Sequence, residues 1–470
     1  MTPRTPAARP RRRSVTALLI ATIAFVGTVA VASWPRQPAT GPLAAALSTD
    51  GSGPQQPDSA ASTPTHEIAG GGDVPASGPP NSGPAATVVP GAVPEATAPP
   101  PNAAPAVAEA LDQKLQSRLN KLRSKYAIPG VSVTIILNDG ATWTGTSGLA
   151  NVRKKTRVKE DTAFALASVS KTYTAALILA LADERKLDLD ERVSKLLPKI
   201  RFTGRATVRQ LLSHTSGLPD FFLNGKIDRA LFGDRSREWT TRDAFRFVGK
   251  PLFAAGKGWY YSNTNYALLG MIAEAVDGRP LAEQLRVRFL DPLGLDHTYQ
   301  QVTEKPRGPI ARGYRVLGTL SKPVYRDQSD GSKAMPFTSV VTAAGGAGSM
   351  AATSGDAARW ARALYAGDIL PRATVRAMIG EARKTARFHP KIGYGLGVQV
   401  ATIDGRPTLG HSGRLVGFRS VVRHLPEEGI TIAVLMNESN TDPTIIAKAL
   451  LRIVSPPKLE PDAAASPSPN

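Results

Sequence analysis

The sequence predicts an α/β domain of the α+β type, with one antiparallel sheet flanked by helices and an inserted helical lobe beside it. Strand patterns occur at the two ends of the folded region, at residues 131–149 and 406–436. Residues 185–380, between these ends, show mainly helical periodicity and loops. The simplest packing is therefore a single sheet that is built from both ends of the domain and covered by helices.

Length and composition limit the possible classes of protein. The chain has 470 residues, of which 42% are hydrophobic, so it can bury a substantial core. It contains no cysteine, which excludes disulfides, a cysteine nucleophile and a thiolate metal site. Its net charge is +20, but no nucleic-acid motif accompanies that charge, so we expect no nucleic-acid partner. The excess of basic residues is expected either to serve solubility or to attract an anionic polymer of the cell envelope.

Residues 1–36 are predicted to be a signal peptide or a membrane anchor. Three consecutive arginines at 11–13 precede an uncharged run, and Val15–Ala32 is mostly apolar. The basic flank is expected on the cytoplasmic side, and Ala30-Val-Ala32 resembles a cleavage site before Ser33. The run is also just long enough to span a bilayer. Both possibilities place the rest of the chain outside the cytoplasm.

Residues 37–106 are rich in Pro, Ala, Gly and Ser and have almost no large apolar side chains, so we predict a disordered linker. As a flexible coil, these residues would span about 45–50 Å. Residues 455–470 have a similar composition and are predicted to form a disordered tail. The predicted folded domain therefore covers residues 107–454.

The elements of this domain follow from periodicity and turn residues. Leucines at 111, 115, 119 and 122 predict a first helix, and Asn138-Asp-Gly140 predicts a hairpin turn between two strands. Further helices are predicted at 208–213, 266–276, 281–289, 355–365 and 441–453, and late strands at 406–410, 418–425 and 430–436.

One stretch indicates chemistry directly. Residues 164–181 predict a helix that is buried on most sides, with Ser168 at its start and Lys171 one turn later. Residues at i and i+3 share a helix face, so the two side chains can touch. Burial and the positive end of the helix dipole both lower a lysine pKa, which suits a base that activates a serine. Taken alone, Ser-x-x-Lys favours a serine N-cap followed by a snorkelling lysine.

Two further stretches could complete this pair. Tyr261 and Asn263 lie in a polar loop before a helix, where a phenol can relay a proton and an amide can hold a substrate. His411-Ser412-Gly413 follows a short predicted strand, where glycine allows a substrate backbone to approach. The structural alternatives are a turn asparagine beside a core tyrosine and an ordinary turn at a strand end.

Together these residues resemble the serine β-lactamase and penicillin-binding-protein superfamily, in particular the branch of class C β-lactamases and D-alanyl-D-alanine carboxypeptidases. The resemblance covers roughly residues 110–455 and implies a β-lactamase/transpeptidase-like fold. The three elements occur in the order typical of the family. Flanking stretches also match: Leu211-Leu-Ser-His214-Thr-Ser-Gly217-Leu, Tyr261-Ser-Asn-Thr-Asn-Tyr266, Pro292-Leu-Gly-Leu295, Gly345-Gly-Ala-Gly348-Ser-Met and Gly393-Tyr-Gly-Leu-Gly397.

The resemblance implies roles for individual residues. Ser168 would be the acylated nucleophile, Lys171 its base and Tyr261 the group that passes the proton to the leaving nitrogen. Asn263 would bind the acyl amide. The motif His411-Ser412-Gly413 would bind substrate, and the backbone N–H groups of Ser168 and Arg414 would form the oxyanion hole.

The third motif departs from the pattern of many relatives, which carry lysine where this chain has His411. Histidine is only partly charged near neutrality, and either Arg414 or Arg419 could supply a positive charge in its place. The His-x-Gly form is shared with carboxypeptidases and esterases of the branch. His214, which is tempting as a base, belongs to a recurring structural loop of the family, so we expect a structural role for it.

These arguments predict an extracytoplasmic serine hydrolase, and D-alanyl-D-alanine carboxypeptidase-like action on cell-wall peptides ranks ahead of esterase and β-lactamase activity. The substrate would be a small peptide, β-lactam or ester, and we expect no cofactor, no metal and a monomer. The sequence has no Gly-x-Ser-x-Gly elbow and no clustered histidines, which argues against an α/β-hydrolase and a zinc enzyme. A non-catalytic penicillin sensor or envelope-polymer binder on the same fold remains the alternative of another class.

Overall fold

The structure is a computed structural model, which describes residues 105–329, 338–387 and 392–456. The predictions of a signal or anchor, of nearly the whole linker and of most of the tail concern residues outside these ranges. Within the described ranges, no helix is both long enough and apolar enough to cross a membrane.

Helices and strands alternate irregularly along the domain. The helices are Glu109–Lys125 (α1), Ser170–Asp183 (α2), Val193–Leu196 (α3), Val208–Leu212 (α4), Gly225–Gly233 (α5), Thr241–Ala244 (α6), Asn263–Asp277 (α7), Leu281–Leu285 (α8), Thr338–Ala344 (α9), Ser354–Ala366 (α10), Arg372–Gly380 (α11), Ala382–Thr385 (α12) and Thr444–Val454 (α13). The strands are Gly130–Ile136 (β1), Thr142–Asn151 (β2), Thr156–Arg157 (β3), Phe164–Ala165 (β4), Tyr299–Gln300 (β5), Tyr314–Thr319 (β6), Lys322–Asp327 (β7), Met350–Ala352 (β8), Gly393–Tyr394 (β9), Gln399–Ile403 (β10), Arg406–Leu415 (β11), Phe418–Leu425 (β12) and Ile430–Met436 (β13).

The main sheet has eight strands in the order β3-β2-β1-β13-β12-β11-β10-β9. Near its centre lies the antiparallel pair β1–β13, in which Val131 lies opposite Met436 and Ile136 lies opposite Thr431. The first and last strands of the domain are therefore neighbours. This arrangement confirms the predicted α+β class with a sheet built from both ends of the domain.

Alternating side chains give the main sheet two buried faces. One face packs on α1 and α13, with Val131, Val133 and Val434 among its buried residues. The other face packs on α10 and continues into a larger core around α2, where Ala433 and Leu435 are buried. Because both faces are covered, β1 and β13 are buried along their whole lengths.

Several local predictions need correction. His411-Ser412-Gly413 does not follow a strand but lies inside β11, which continues to Leu415. The predicted helix at 164–181 divides into strand β4, a 3-10 turn at Ala167–Val169 and helix α2. Residues 185–380 also contain strands, among them the separate two-stranded hairpin β6–β7. The predicted helix at 281–289 is α8 followed by a π-helical turn at Arg286–Leu290.

Candidate active site

Ser168 lies on a strained turn between β4 and α2. The preceding residue, Ala167, has φ of +51°, a left-handed value that is uncommon for a residue with a Cβ atom. Ser168 itself is partly exposed, although both neighbours in the chain are buried. Strain of this kind persists only where the surrounding structure enforces it, and it is common at functional sites.

The close packing of β11 enforces this turn. A Cβ atom on Gly413 would lie 2.2 Å from the carbonyl oxygen of Leu166 and 3.1 Å from the Cβ atom of Ala167. The hydroxyl of Ser420, opposite Gly413 on β12, also donates to the Leu166 carbonyl at 2.8 Å. Gly413 therefore lets the strand touch the turn that carries Ser168.

Lys171 is fully buried in the first turn of α2, as the sequence predicts. Its Nζ atom lies 3.2 Å from Ser168 Oγ, 2.7 Å from Asn263 Oδ1 and 2.7 Å from the carbonyl oxygen of Ala347. The Nζ atom also lies 5.0 Å from the centroid of the Tyr261 ring. The structure thus brings the first two predicted motifs together around one amine.

The contacts of this amine are compatible with its neutral form. Carbonyl oxygens only accept hydrogen bonds, so Asn263 and Ala347 take two N–H groups of Lys171. The lone pair of a neutral amine is then directed toward the Ser168 hydroxyl. Burial lowers the pKa of Lys171 to about 7, an effect that the negative charge of Asp220 partly opposes. A large fraction of the lysine is therefore available as a base near neutral pH.

Asp220 forms the far end of this polar chain. Its Oδ2 atom accepts a hydrogen bond from Asn263 Nδ2 at 2.6 Å, and its Oδ1 atom accepts from the backbone N–H of Phe222 at 2.9 Å. With Oδ1 of Asn263 facing Lys171, the carboxylate holds the amide in a single orientation. One N–H of Asn263 remains for a ligand, since its amide nitrogen carries two hydrogens. Burial raises the pKa of Asp220 above its usual range.

Tyr261 is partly exposed beside Ser168 and Lys171, and its hydroxyl makes no hydrogen bond of standard geometry within the described part of the chain. Burial of the phenol raises its pKa well above the usual value, while the nearby Ser168 hydroxyl opposes that rise. The phenol is therefore protonated at neutral pH and can donate a proton.

His214 supports the loop that carries Tyr261. Its carbonyl oxygen accepts from Tyr260 N at 3.0 Å, and its Nδ1 atom accepts from Ser262 N at 3.2 Å. The imidazole also lies against the Tyr261 ring, with centroids 4.4 Å apart. Because Nδ1 is an acceptor, the proton is on Nε2. Burial holds the pKa of His214 well below its usual value, so the ring is neutral. These contacts agree with the expected structural role.

His411 is buried, and both of its ring nitrogens are engaged within the protein. Nδ1 lies 2.6 Å from the Ser412 carbonyl oxygen, and Nε2 lies 2.9 Å from the Tyr394 hydroxyl. The carbonyl can only accept, so Nδ1 carries the proton and Nε2 accepts from Tyr394. Burial holds the pKa of His411 well below its usual value. The partial positive charge expected at this position is therefore absent, and the ring packs beside the site as a neutral group.

Ser412 contacts a cluster that the sequence analysis missed. Its N–H and hydroxyl lie 3.1 Å and 3.3 Å from Gln399 Oε1 on β10. The same oxygen accepts from Arg423 Nη2 on β12 at 2.8 Å. Arg423 is buried, and burial lowers its pKa to about 10. A buried cation, Arg423, therefore lies near the third motif, with the Gln399 amide oxygen between it and Ser412.

Arg414 and Arg419 lie opposite each other on β11 and β12. Side chains alternate along a strand, so the Arg414 side chain points to the opposite face from His411 and Gly413. Backbone N–H groups alternate in the same way. The Ser412 N–H points to the β10 side, and the Arg414 N–H therefore points the same way, beyond the end of the β10 pairing. This direction suits an oxyanion donor beside Ser168.

The structure thus places Ser168, Lys171, Tyr261 and Asn263 in one cluster, with Gly413 packed against it and His411 at its edge. It adds Asp220, Gln399 and Arg423, which no local motif indicated, and Ala347, which lies in the matching stretch at 345–350 but had no assigned role. A charged residue directly after Leu218-Pro in a buried loop was the available signal for Asp220. Among the residues described, no group of three or more His, Asp or Glu side chains is placed to hold a metal ion.

The fold and this cluster define a serine hydrolase of the class that acts through a Ser-x-x-Lys pair. The beta-lactamase family model matches residues 107–454, and the chain belongs to that family. Penicillin-binding protein 4 of Amycolatopsis lactamdurans is 30% identical over 68% of this chain and 84% of its own length. The fold of the present chain is similar to that of D-stereospecific amidohydrolase from Streptomyces sp., with 28% identity and a TM-score of 0.59 over 72% of this chain and 97% of the other. The fold is also similar to that of D-amino acid amidase from Ochrobactrum anthropi SV3, with 26% identity and a TM-score of 0.62 over 74% of this chain and 97% of the other.

Proposed function

We propose that the protein is an extracytoplasmic serine amidohydrolase that cleaves the bond after a D-amino acid in cell-envelope peptides, in a D-alanyl-D-alanine carboxypeptidase-like reaction. One observation carries the proposal: the buried Lys171 amine lies 3.2 Å from Ser168 Oγ, and two carbonyl oxygens take its N–H groups. The relatives named as a penicillin-binding protein and as D-amino acid and D-stereospecific hydrolases support the substrate class.

Acylation follows from this geometry. Lys171 takes the hydroxyl proton as Ser168 Oγ attacks the substrate carbonyl carbon, and a tetrahedral intermediate forms. The backbone N–H groups of Ser168 and Arg414 bind its oxyanion. The free N–H of Asn263 holds the carbonyl of the acyl amide, which positions the D-residue over the nucleophile.

Collapse of the intermediate breaks the C–N bond and leaves an ester on Ser168. Tyr261 donates its phenolic proton to the leaving nitrogen, because its raised pKa keeps the phenol protonated. Lys171 then transfers its proton to Tyr261 and restores the phenol. The Lys171 Nζ atom lies 5.0 Å from the centroid of the Tyr261 ring. Water then hydrolyses the ester, and the same groups act in reverse order.

The location and the partners belong to the same proposal. The arginine-rich flank and apolar run at residues 1–36 support export, with the domain either tethered or released. The net charge of +20 supports attraction to anionic envelope polymers. The substrate is a peptide, and a β-lactam or an ester would acylate the same serine.

A second candidate is an amidase that prefers substrates without a terminal carboxylate. The observation that favours it is the position of Gln399 Oε1, which already accepts from the Ser412 backbone, the Ser412 hydroxyl and Arg423. These donors are the ones that a carboxylate beyond the scissile bond would need. The neutral state of His411 removes the other expected cation.

A matched pair of substrates tests the two candidates. One is a diacyl-D-alanyl-D-alanine peptide, and the other is the same peptide with a C-terminal carboxamide. A carboxypeptidase-like enzyme gives the higher kcat/KM with the acid and releases D-alanine. An amidase gives the higher value with the carboxamide. Nitrocefin and p-nitrophenyl acetate complete the panel, and turnover of either of these alone would replace the proposal with β-lactamase or esterase activity.

Two variants sharpen the result. Gln399→Ala uncovers Arg423, so it is expected to raise kcat/KM for the acid relative to the carboxamide. Ser168→Ala is expected to remove turnover of every substrate. A protein that binds peptide or β-lactam without turnover in the wild type would instead be the non-catalytic sensor.

A further inference from the structure

The β6–β7 hairpin presents an outer face unlike the rest of the surface. Its two strands pair from Tyr314↔Asp327 to Thr319↔Lys322 and join neither of the other sheets. The inner face is held to the domain, where the Tyr314 hydroxyl accepts from Val152 N at 2.9 Å and Asn440 donates to the Val316 carbonyl at 2.9 Å.

The outer face carries exposed apolar side chains. Leu317 and Val324 lie opposite each other and are 37% and 59% exposed, and Leu320 in the turn is 63% exposed. These are three of the seven large apolar residues that are well exposed in the described part of the chain. Clustered exposure of this kind marks an interaction surface, whereas single exposed apolar residues do not.

Basic residues lie on both sides of the apolar pair. Arg315 lies directly opposite Arg326 on one side, and Lys322 lies opposite Thr319 on the other. Asp327 forms an ion pair with Arg312. Among the described residues, Arg315, Lys322 and Arg326 form no ion pair. Like charges directly opposite each other destabilise a strand pair, and a two-stranded hairpin has little stability of its own. An anionic partner would relieve that repulsion.

We propose that this outer face lies against the surface of a membrane that contains anionic lipids. The arginine pair and Lys322 would contact the headgroup phosphates, and Leu317, Leu320 and Val324 would enter the boundary with the acyl chains. Interfacial segments typically bury their apolar face about 5–10 Å into this boundary. An anionic polymer would satisfy the charges but would leave the apolar residues in water, and for that reason we choose the lipid surface.

The absence of cysteine from the chain makes a direct test possible. Val324→Cys in the full chain carries a single environment-sensitive fluorophore. Val287→Cys is the matched control, because Val287 is 54% exposed on the π-helical turn and lies outside the hairpin. Both proteins keep residues 1–36, so any tethering through that segment is the same for the two labels. Vesicles are phosphatidylcholine alone or mixed with phosphatidylglycerol, each also prepared with brominated acyl chains.

The label at position 324 is expected to shift to the blue and to be quenched by brominated chains in anionic vesicles, and the label at 287 is not. Arg315→Gln and Arg326→Gln in the labelled protein should each weaken the quenching titration about fivefold at low salt. Equal quenching at both positions, or none at 324, overturns the proposal. A third outcome also overturns it: soluble polyphosphate shifts the 324 label to the blue, and brominated vesicles do not quench that label. The partner is then a polymer.

Discussion

Asp220→Asn tests whether the carboxylate behind Asn263 controls the catalytic amine. Asp220 accepts from the Asn263 amide and from the Phe222 N–H, with one carboxylate oxygen for each. An asparagine has only one acceptor oxygen, so it can keep only one of these two bonds. If it keeps the Phe222 bond, its NH₂ group faces the NH₂ group of Asn263, and the amide that contacts Lys171 loses its fixed orientation.

Two effects follow, and each has its own magnitude. Loss of a hydrogen bond to a charged group costs about 1.5–3 kcal/mol, so kcat/KM should fall roughly 10- to 100-fold at its optimum. Loss of the negative charge lowers the pKa of Lys171, because Asp220 raises it in the wild type. A unit charge two hydrogen bonds away in a partly polar interior is worth about 1–2 pH units. The neutral amine is the active form, so the rate rises as pH increases through this pKa.

The assay is kcat/KM for the best substrate of the panel from pH 5 to 9, because that profile reports the ionisation of the free enzyme. Wild type should show an acidic limb near pH 7, and Asp220→Asn should show the limb at lower pH. Asp228→Asn is the control, since Asp228 is a half-buried carboxyl on α5 whose raised pKa comes from burial alone. An acidic limb that stays in place or moves to higher pH in Asp220→Asn would refute the reasoning.

Further outcomes are expected from simpler experiments. Ser168→Ala should abolish covalent labelling by a fluorophosphonate or β-lactam, as followed by mass spectrometry. Lys171→Ala should slow the same labelling about 10²–10⁴-fold. Labelling of Ser168→Ala at the wild-type rate would place the nucleophile elsewhere. Gly413→Ala should reduce both kcat and Tm, because the new Cβ atom would lie 2.2 Å from the Leu166 carbonyl oxygen. Overpacking of this kind typically costs about 1–3 kcal/mol of stability. Full activity of the variant would contradict the tight contact. The lowered pKa of His411 predicts a ring that is still neutral at pH 6.5 in ¹⁵N NMR, and a titration midpoint near 6.5 would contradict it. Protease added to intact cells should digest the domain, and protection until lysis would contradict export.

The sequence was most informative where periodicity and turn residues agree. Strands 418–425 and 430–436 appear with the predicted bounds, because each contains several large or β-branched apolar residues and a Glu-Glu-Gly turn separates them. The short strands β9 and β10 were not predicted, since two to five residues near several glycines carry too little pattern. The β6–β7 hairpin was missed because only its inner face is partly buried, so alternation of polarity along it is weak.

In the candidate site, the nearest neighbours could be predicted and the more distant partners could not. Ser168 and Lys171 are three residues apart, so the 3-10 turn that leads into α2 brings them together much as the predicted helix would. The link from Asn263 to Asp220 depends on how a loop packs before α7, and the link from Ser412 to Arg423 depends on strand order. The positive φ of Ala167 also has no local signal, because alanine there is held by contacts with β11.

The pairing of β1 with β13 has a consequence for the order in which the chain can fold. Val131 leaves the ribosome early, yet its partner Met436 lies at the other end of the domain. Until that last strand is available, β1 and β2 can form only an isolated hairpin, which is marginal in water. Contacts so distant in the chain also form slowly, because a long loop must close first. The main sheet therefore cannot be completed around β1 until synthesis of the domain is nearly finished.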